Sequence, residues 1–220
     1  SLNCLIVNDN IRIKPLFLGA NPANVKEGEH KGLRILNPVE DMARDMLLSF
    51  DRNQLNKALI EDKAPWDLLT TNQRHILLGD PVGISILDMS SKQQKLFMQL
   101  VKWYFYTTSN TISGSLLRNI KNSWQDPIYF AWAGGLHFGM PHYYCIQGGD
   151  MLIEYDCVLD GANHIHTVVR DSKGDKAIFL AKNKNSAQRR PAGAFLAKSY
   201  SKYHQFRHTV DPQGPFWPSI

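Results

Sequence analysis

A chain of 220 residues with 43% hydrophobic and 20% charged content has enough apolar material for one large domain with a substantial core. Its longest apolar runs, such as Leu16–Phe17–Leu18 and Ile84–Ser85–Ile86–Leu87, are far too short to span a membrane. Its three cysteines (Cys4, Cys145, Cys157) lack C-x-x-C spacing, which excludes a zinc finger and argues against a disulfide scaffold. The net charge of +5 is concentrated in residues 173–207, where nine Lys or Arg face Asp175 alone and leave −3 for the rest; without interleaved aromatics from 180 to 194, this stretch reads as a solvated basic face rather than a nucleic-acid-binding one.

In chain order, residues 2–8 and 11–18 read as two strands joined by the turn chemistry of Asn8–Asp9–Asn10. Gly19-Ala-Asn-Pro22 breaks the second strand, and a polar loop follows to about residue 36. Asn37-Pro38-Val-Glu40 then carries the signals of a helix start, with Asn as cap and Met42, Met46, Leu47 and Phe50 as the apolar face. Asp51 is the expected cap of a second helix through Leu59, and Pro65 to Leu69 the start of a short third one. Ser90-Ser-Lys-Gln93 is a capping box opening a helix whose stripe is Leu96, Phe97, Leu100, Val101, Tyr104 and Phe105. A further helix is expected over 113–124.

From Ile128 the hydrophobic period changes to two. Strands are expected at 128–133, 142–147, 151–157 and 163–169, separated by Gly134–Gly135, Gly148–Gly149 and Asp160–Gly161, which makes an antiparallel meander. A final helix is expected over 194–208. The fold class is therefore α+β: an antiparallel sheet of N-terminal hairpin plus C-terminal meander, with a helical block inserted. Residues 1–175 form the expected domain, and 176–220 a basic stretch, terminal helix and irregular tail.

Polar chemistry concentrates in residues 128–171. His164 and His166 stand at i and i+2 on one strand and so face the same way, as do Glu154 and Asp156 on the strand before. Whether the two pairs meet depends on the turn between them. A two-residue loop puts Tyr155 and Cys157 opposite the histidines; a three-residue loop pairs Asp156 with His164 and Glu154 with His166, and is the expected register. With His142 opening the strand after Pro141, three imidazoles and a carboxylate suit a divalent transition metal: zinc, iron, manganese or copper. On this reading the metal ligands are His142, His164 and His166, with Glu154 a further candidate. Glu154 and Asp156 serve as the catalytic acids, and Arg170, Tyr144 and Trp132 contact a small-molecule substrate by oxygenase or hydrolase chemistry. The competing readings are a polar network in which the acids fix the imidazoles, and a non-enzymatic ligand-binding domain. No nucleotide-binding fingerprint, P-loop or nucleophile elbow is present.

Phe130-Ala-Trp-Ala-Gly134, Pro141-His-Tyr-Tyr144, Ile146-Gln-Gly148, Leu152-Ile-Glu-Tyr-Asp156 and Ala162-Asn-His-Ile-His166 with Arg170-Asp171 resemble the family catalogued as domain of unknown function 3500. Phe17-Leu-Gly-Ala-Asn-Pro22, Gly32-Leu-Arg and Ala64-Pro65 extend the likeness over roughly residues 1–175. The resemblance implies no activity. It does imply that a chain starting at Ser1-Leu-Asn is the C-terminal portion of a longer pattern, lacking at least one His-bearing strand, so a truncated product with little activity is a further reading. Cys145 stands where the family usually has Arg and Cys157 where it has Asn, and residues 176–193 look inserted. The first departure weighs against an anionic ligand, the absent strand against metal affinity.

Overall fold

The computed structural model describes residues 2–7, 10–70, 80–106, 127–149 and 151–171, with the side chains of residues 2–14, 106 and 171 left aside. The helices expected at 113–124 and 194–208, and the basic segment 173–207, lie outside these residues.

The N-terminal hairpin is β1 (Leu2–Val7) and β2 (Asn10–Ala20), paired antiparallel. The meander is β5 (Tyr129–Gly134), β6 (His142–Gly148), β7 (Met151–Val158) and β8 (His164–Asp171). Because β2 pairs with β8, the hairpin joins the meander in one sheet, in the order β1-β2-β8-β7-β6-β5. The segment between β2 and β5 is not helical throughout. It supplies α1 (Asn37–Leu48), α2 (Arg52–Ala58) and α3 (Ser91–Tyr106), but also β3 (Leu59–Glu61), which pairs parallel to β5, and the two-residue β4 (Ile84–Ser85), which pairs antiparallel to it. The sheet is accordingly mixed and mostly antiparallel.

Local chemistry sets the helix starts. The Asp51 carboxylate accepts the Gln54 N–H at 2.9 Å while the Gln54 side chain accepts the Asp51 N–H, the reciprocal box expected for α2. Ser90 and Gln93 do the same ahead of α3. At α1 the cap position is Leu36, left-handed at φ 61° and without a side-chain cap bond, so Asn37 is the first helical residue rather than the cap. Residues 65–69, expected to begin a helix, form an irregular segment that continues to Thr70.

Both faces of the central strands are covered, and β6 is buried along its whole length. One face packs Phe130, Trp132, Tyr144, Ile146, Ile153, Tyr155 and Ile165 against Val39, Met46 and Leu47 of α1 and Phe97, Leu100 and Val101 of α3. The other face is smaller: Ala131, Ala133, Tyr143, Cys145 and Leu152, overlaid by Ile60, Ala64, Leu69 and Val82. Alternation along each strand therefore sorts residues into a helix-covered face and a loop-covered one, and that sorting decides which polar groups can meet. No helix among the described residues is long and apolar enough to cross a membrane.

Candidate metal centre

Between β7 and β8 the chain takes three left-handed residues in a row, Asp160, Gly161 and Ala162, at φ 53°, 69° and 58°. This connection is longer than a three-residue hairpin loop, and the register moves by two. Asp156 is directly opposite His166, and Glu154 opposite Val168, in place of the expected partners His164 and His166. A shift of two preserves the face, so Glu154, Asp156, His164 and His166 all project to the loop-covered side. The two-residue alternative, which sets Tyr155 and Cys157 against the histidines, does not occur: Cys157 is opposite Ile165.

Asp156 is completely buried, and neither of its carboxylate oxygens accepts a well-formed hydrogen bond among the described residues. The Asp67 carboxyl and the Leu68 N–H lie beside it, the first favouring its protonated form and the second its ionised form. The imidazole Nδ1 of His166 is also unpartnered, 3.4 Å from an Asp156 oxygen and 3.4 Å from an Asp67 oxygen. One ligand atom from each of Asp67, Asp156 and His166 lies within 4.8 Å of the other two. Burial, followed by the nearby Asp67 and Glu154 carboxyls, pushes the Asp156 carboxyl up to about 8.

Asp67 comes from the irregular 65–70 segment, which Glu154 ties to the sheet. The buried Glu154 carboxylate accepts the Leu69 N–H at 2.7 Å, the Thr70 N–H at 3.2 Å, the Thr70 hydroxyl through a short contact, and the Tyr143 hydroxyl at 2.9 Å. Its oxygens are thus occupied where those of Asp156 are bare. Burial still raises the Glu154 carboxyl above its ordinary value, with those donors pulling the other way.

His164 stands beside the cluster without entering it. Its ring centroid is 4.5 Å from that of His166, and its Nδ1 is 3.1 Å from Asp160 Oδ2 and 3.3 Å from Asn21 Nδ2. Arg170 lies on the same face, but it is buried rather than at the surface. Cys145 is directly opposite Glu154 on that face, and its thiol is pushed up to about 12 by burial and then by Glu154.

Three expected site residues lie on the other side of the sheet. His142 is opposite Cys157, and so shares the helix-covered face with Trp132 and Tyr144. It is stacked on Trp132 at 4.9 Å between centroids and 8° between planes. Its Nδ1 meets the Met140 carbonyl at 2.9 Å, and its Nε2 lies 3.4 Å from an Arg44 nitrogen, which assigns Nδ1 as donor and Nε2 as acceptor. Burial lowers this imidazole to about 4, keeping it neutral. The structure therefore does not bring His142 to His164 and His166. Trp132 and Tyr144 are fully buried in the same core, with no route to Asp156 on that face.

Asp67, Thr70 and Tyr143 are the residues sequence reasoning missed. Pro65-Trp-Asp67 resembles a helix start, which hid an acid whose partners are nearly a hundred residues further on.

A model of the family described as Protein of unknown function (DUF3500) matches residues 1–177 of the chain. No curated protein and no solved structure matches it.

Proposed function

The chain belongs to the DUF3500 family, whose description names no activity, and from the geometry of the site we propose that the protein is a metalloprotein. A divalent transition metal is held by Asp67, Asp156 and His166. The observation that carries this reading is the bare, fully buried Asp156 carboxylate facing the unpartnered His166 Nδ1. Ionising a carboxyl buried at that point is costly, which is why it keeps its proton up to about 8, and a bound cation offsets that cost. Donor spacing supports the same reading. Two ligand atoms at about 2.1 Å from one tetrahedral ion stand about 3.4 Å apart, which is the distance of His166 Nδ1 from both carboxylates. Two carboxylates neutralise a dication, and a donor set of oxygen with one imidazole suits Zn2+, Mn2+ or Fe2+ better than a soft copper ion.

Three protein donors leave room for water on the ion, and a metal-bound water that ionises near neutrality is a hydrolytic nucleophile. Oxygen activation on Fe2+ ordinarily uses two imidazoles and one carboxylate, so the single gathered imidazole favours a hydrolase. Glu154 acts as the clamp that sets Asp67 in place, rather than as a reacting acid.

Metal content of the purified protein and calorimetric titration with Zn2+ and Mn2+ test the reading. The expected result is one ion per chain, lost in Asp156→Asn and in His166→Gln and kept in His142→Gln. Binding no tighter than about 1 mM, or binding that survives Asp156→Asn, overturns it. In that case Asp67 and Asp156 share a proton in a purely polar network.

A further inference from the structure

Trp66 immediately precedes Asp67 and is 76% exposed, more than any other large hydrophobic side chain among the described residues. Tryptophan carries a large apolar surface, and leaving it in water forgoes the burial that holds most such rings inside. A loose loop does not account for this exposure. Leu68, two residues on, is buried, and the Leu69 and Thr70 N–H groups are fixed by Glu154. The indole is therefore presented to solvent from an anchored backbone, one residue from a proposed metal ligand.

The neighbouring strand leaves space beside the same centre. Gly19 of β2 is exposed and directly opposite His166. A Cβ at Gly19 would stand 3.2 Å from the Ile165 carbonyl oxygen, 3.6 Å from the Phe17 ring and 3.9 Å from His166 Cδ2, so glycine avoids a tight backbone contact and leaves this flank of the imidazole without a covering side chain. Phe17 borders that flank, its ring centroid 5.8 Å from that of His166.

From these placements we infer that Trp66 is the contact platform for an organic ligand, one that presents a pair of oxygen donors to the metal and a flat ring to the indole. The class is an aromatic ring bearing a chelating acid group. The inference rests on the metal reading above and adds to it the kind of molecule the centre accepts.

Acetohydroxamate and benzohydroxamate carry the same two-oxygen chelating group and differ by a ring, so their affinities for the Zn2+-loaded protein isolate the ring's contribution. Calorimetry is expected to show benzohydroxamate binding about three- to tenfold tighter than acetohydroxamate, the range of a single aromatic contact. Trp66→Ala should abolish that preference by weakening benzohydroxamate alone, and Trp66→Phe should keep most of it, with Zn2+ affinity unchanged in both variants. Equal binding of the two hydroxamates to the wild type, or a preference that survives Trp66→Ala, removes the inference and leaves the metal site standing. Failure of the wild type to bind Zn2+ removes both.

Discussion

Asp156→Asn keeps the shape of the side chain while removing its charge, and so separates the stability of this fold from the chemistry of its site. The folded carboxyl holds its proton up to about 8, against an ordinary value of 3.8, because it is fully buried near Asp67 and Glu154. The folded state thus binds more protons than the unfolded chain between these limits. Stability of the metal-free protein must then fall as pH rises through that window and level off above it. At about 1.36 kcal/mol per unit, the loss attributable to this group between pH 4.5 and pH 8 is on the order of 4 kcal/mol. An Asn at the position has no such dependence. Urea unfolding in the presence of a chelator, at several pH values across the window, should show the variant gaining on the wild type by that amount as pH rises. Taking the difference between the two proteins cancels every other titrating group. Adding Zn2+ should narrow that gap: an ion at a hundred times its dissociation constant stabilises the wild type by about 2.7 kcal/mol and leaves the variant unchanged. Parallel pH curves for the two proteins would refute the reasoning, since Asp156 would then carry no buried, uncompensated charge.

Glu154→Gln places an amide donor against N–H and O–H donors that now meet a carboxylate; it should cost about 2–4 kcal/mol in urea unfolding and weaken Zn2+ binding about 10- to 100-fold as Asp67 is released. His142 titrates the other way from Asp156. Its folded value of about 4 lies below the ordinary 6.5, so its contribution is complete above 6.5 and is lost as pH falls towards 4. That loss is about 3 kcal/mol, and a pH series of melts on His142→Gln should lack it while retaining the metal. Gly83→Ala demands a left-handed φ of 99° from a residue whose Cβ would run into the Phe130 carbonyl oxygen. Thermal unfolding should show a loss of about 3 kcal/mol or more, with no effect on metal stoichiometry in the protein that remains folded.

The meander was legible in the sequence because its strands carry period-two alternation between glycine-marked turns, and Ser90 with Gln93 announced α3 through two local hydrogen bonds. Local signals also gave the face shared by Glu154, Asp156, His164 and His166, since alternation along β7 and β8 does not depend on the turn between them. What they did not give is the register: Asp160, Gly161 and Ala162 all sit in left-handed backbone, and nothing in Asp-Gly-Ala demands that of the alanine. Nor does one-dimensional spacing say which face of β6 points to which side, so His142 was grouped with the wrong imidazoles. Its identity as a core residue follows only from pairing with Cys157 and stacking on Trp132. The largest omission was Asp67, for a physical reason that applies to any site closed by a long-range segment. The acid is brought to His166 by hydrogen bonds from Leu69 and Thr70 to Glu154, and main-chain donors leave no mark in the side-chain sequence. A carboxylate at Glu154 without an evident basic partner was the visible half of that arrangement. Buried acids need donors, and when the flanking strands offer none, the donors come from a loop that the sheet must hold down. On that logic the centre is two carboxylates with separate tasks: one spends its oxygens on the fold, which is what leaves the other with bare oxygens beside His166.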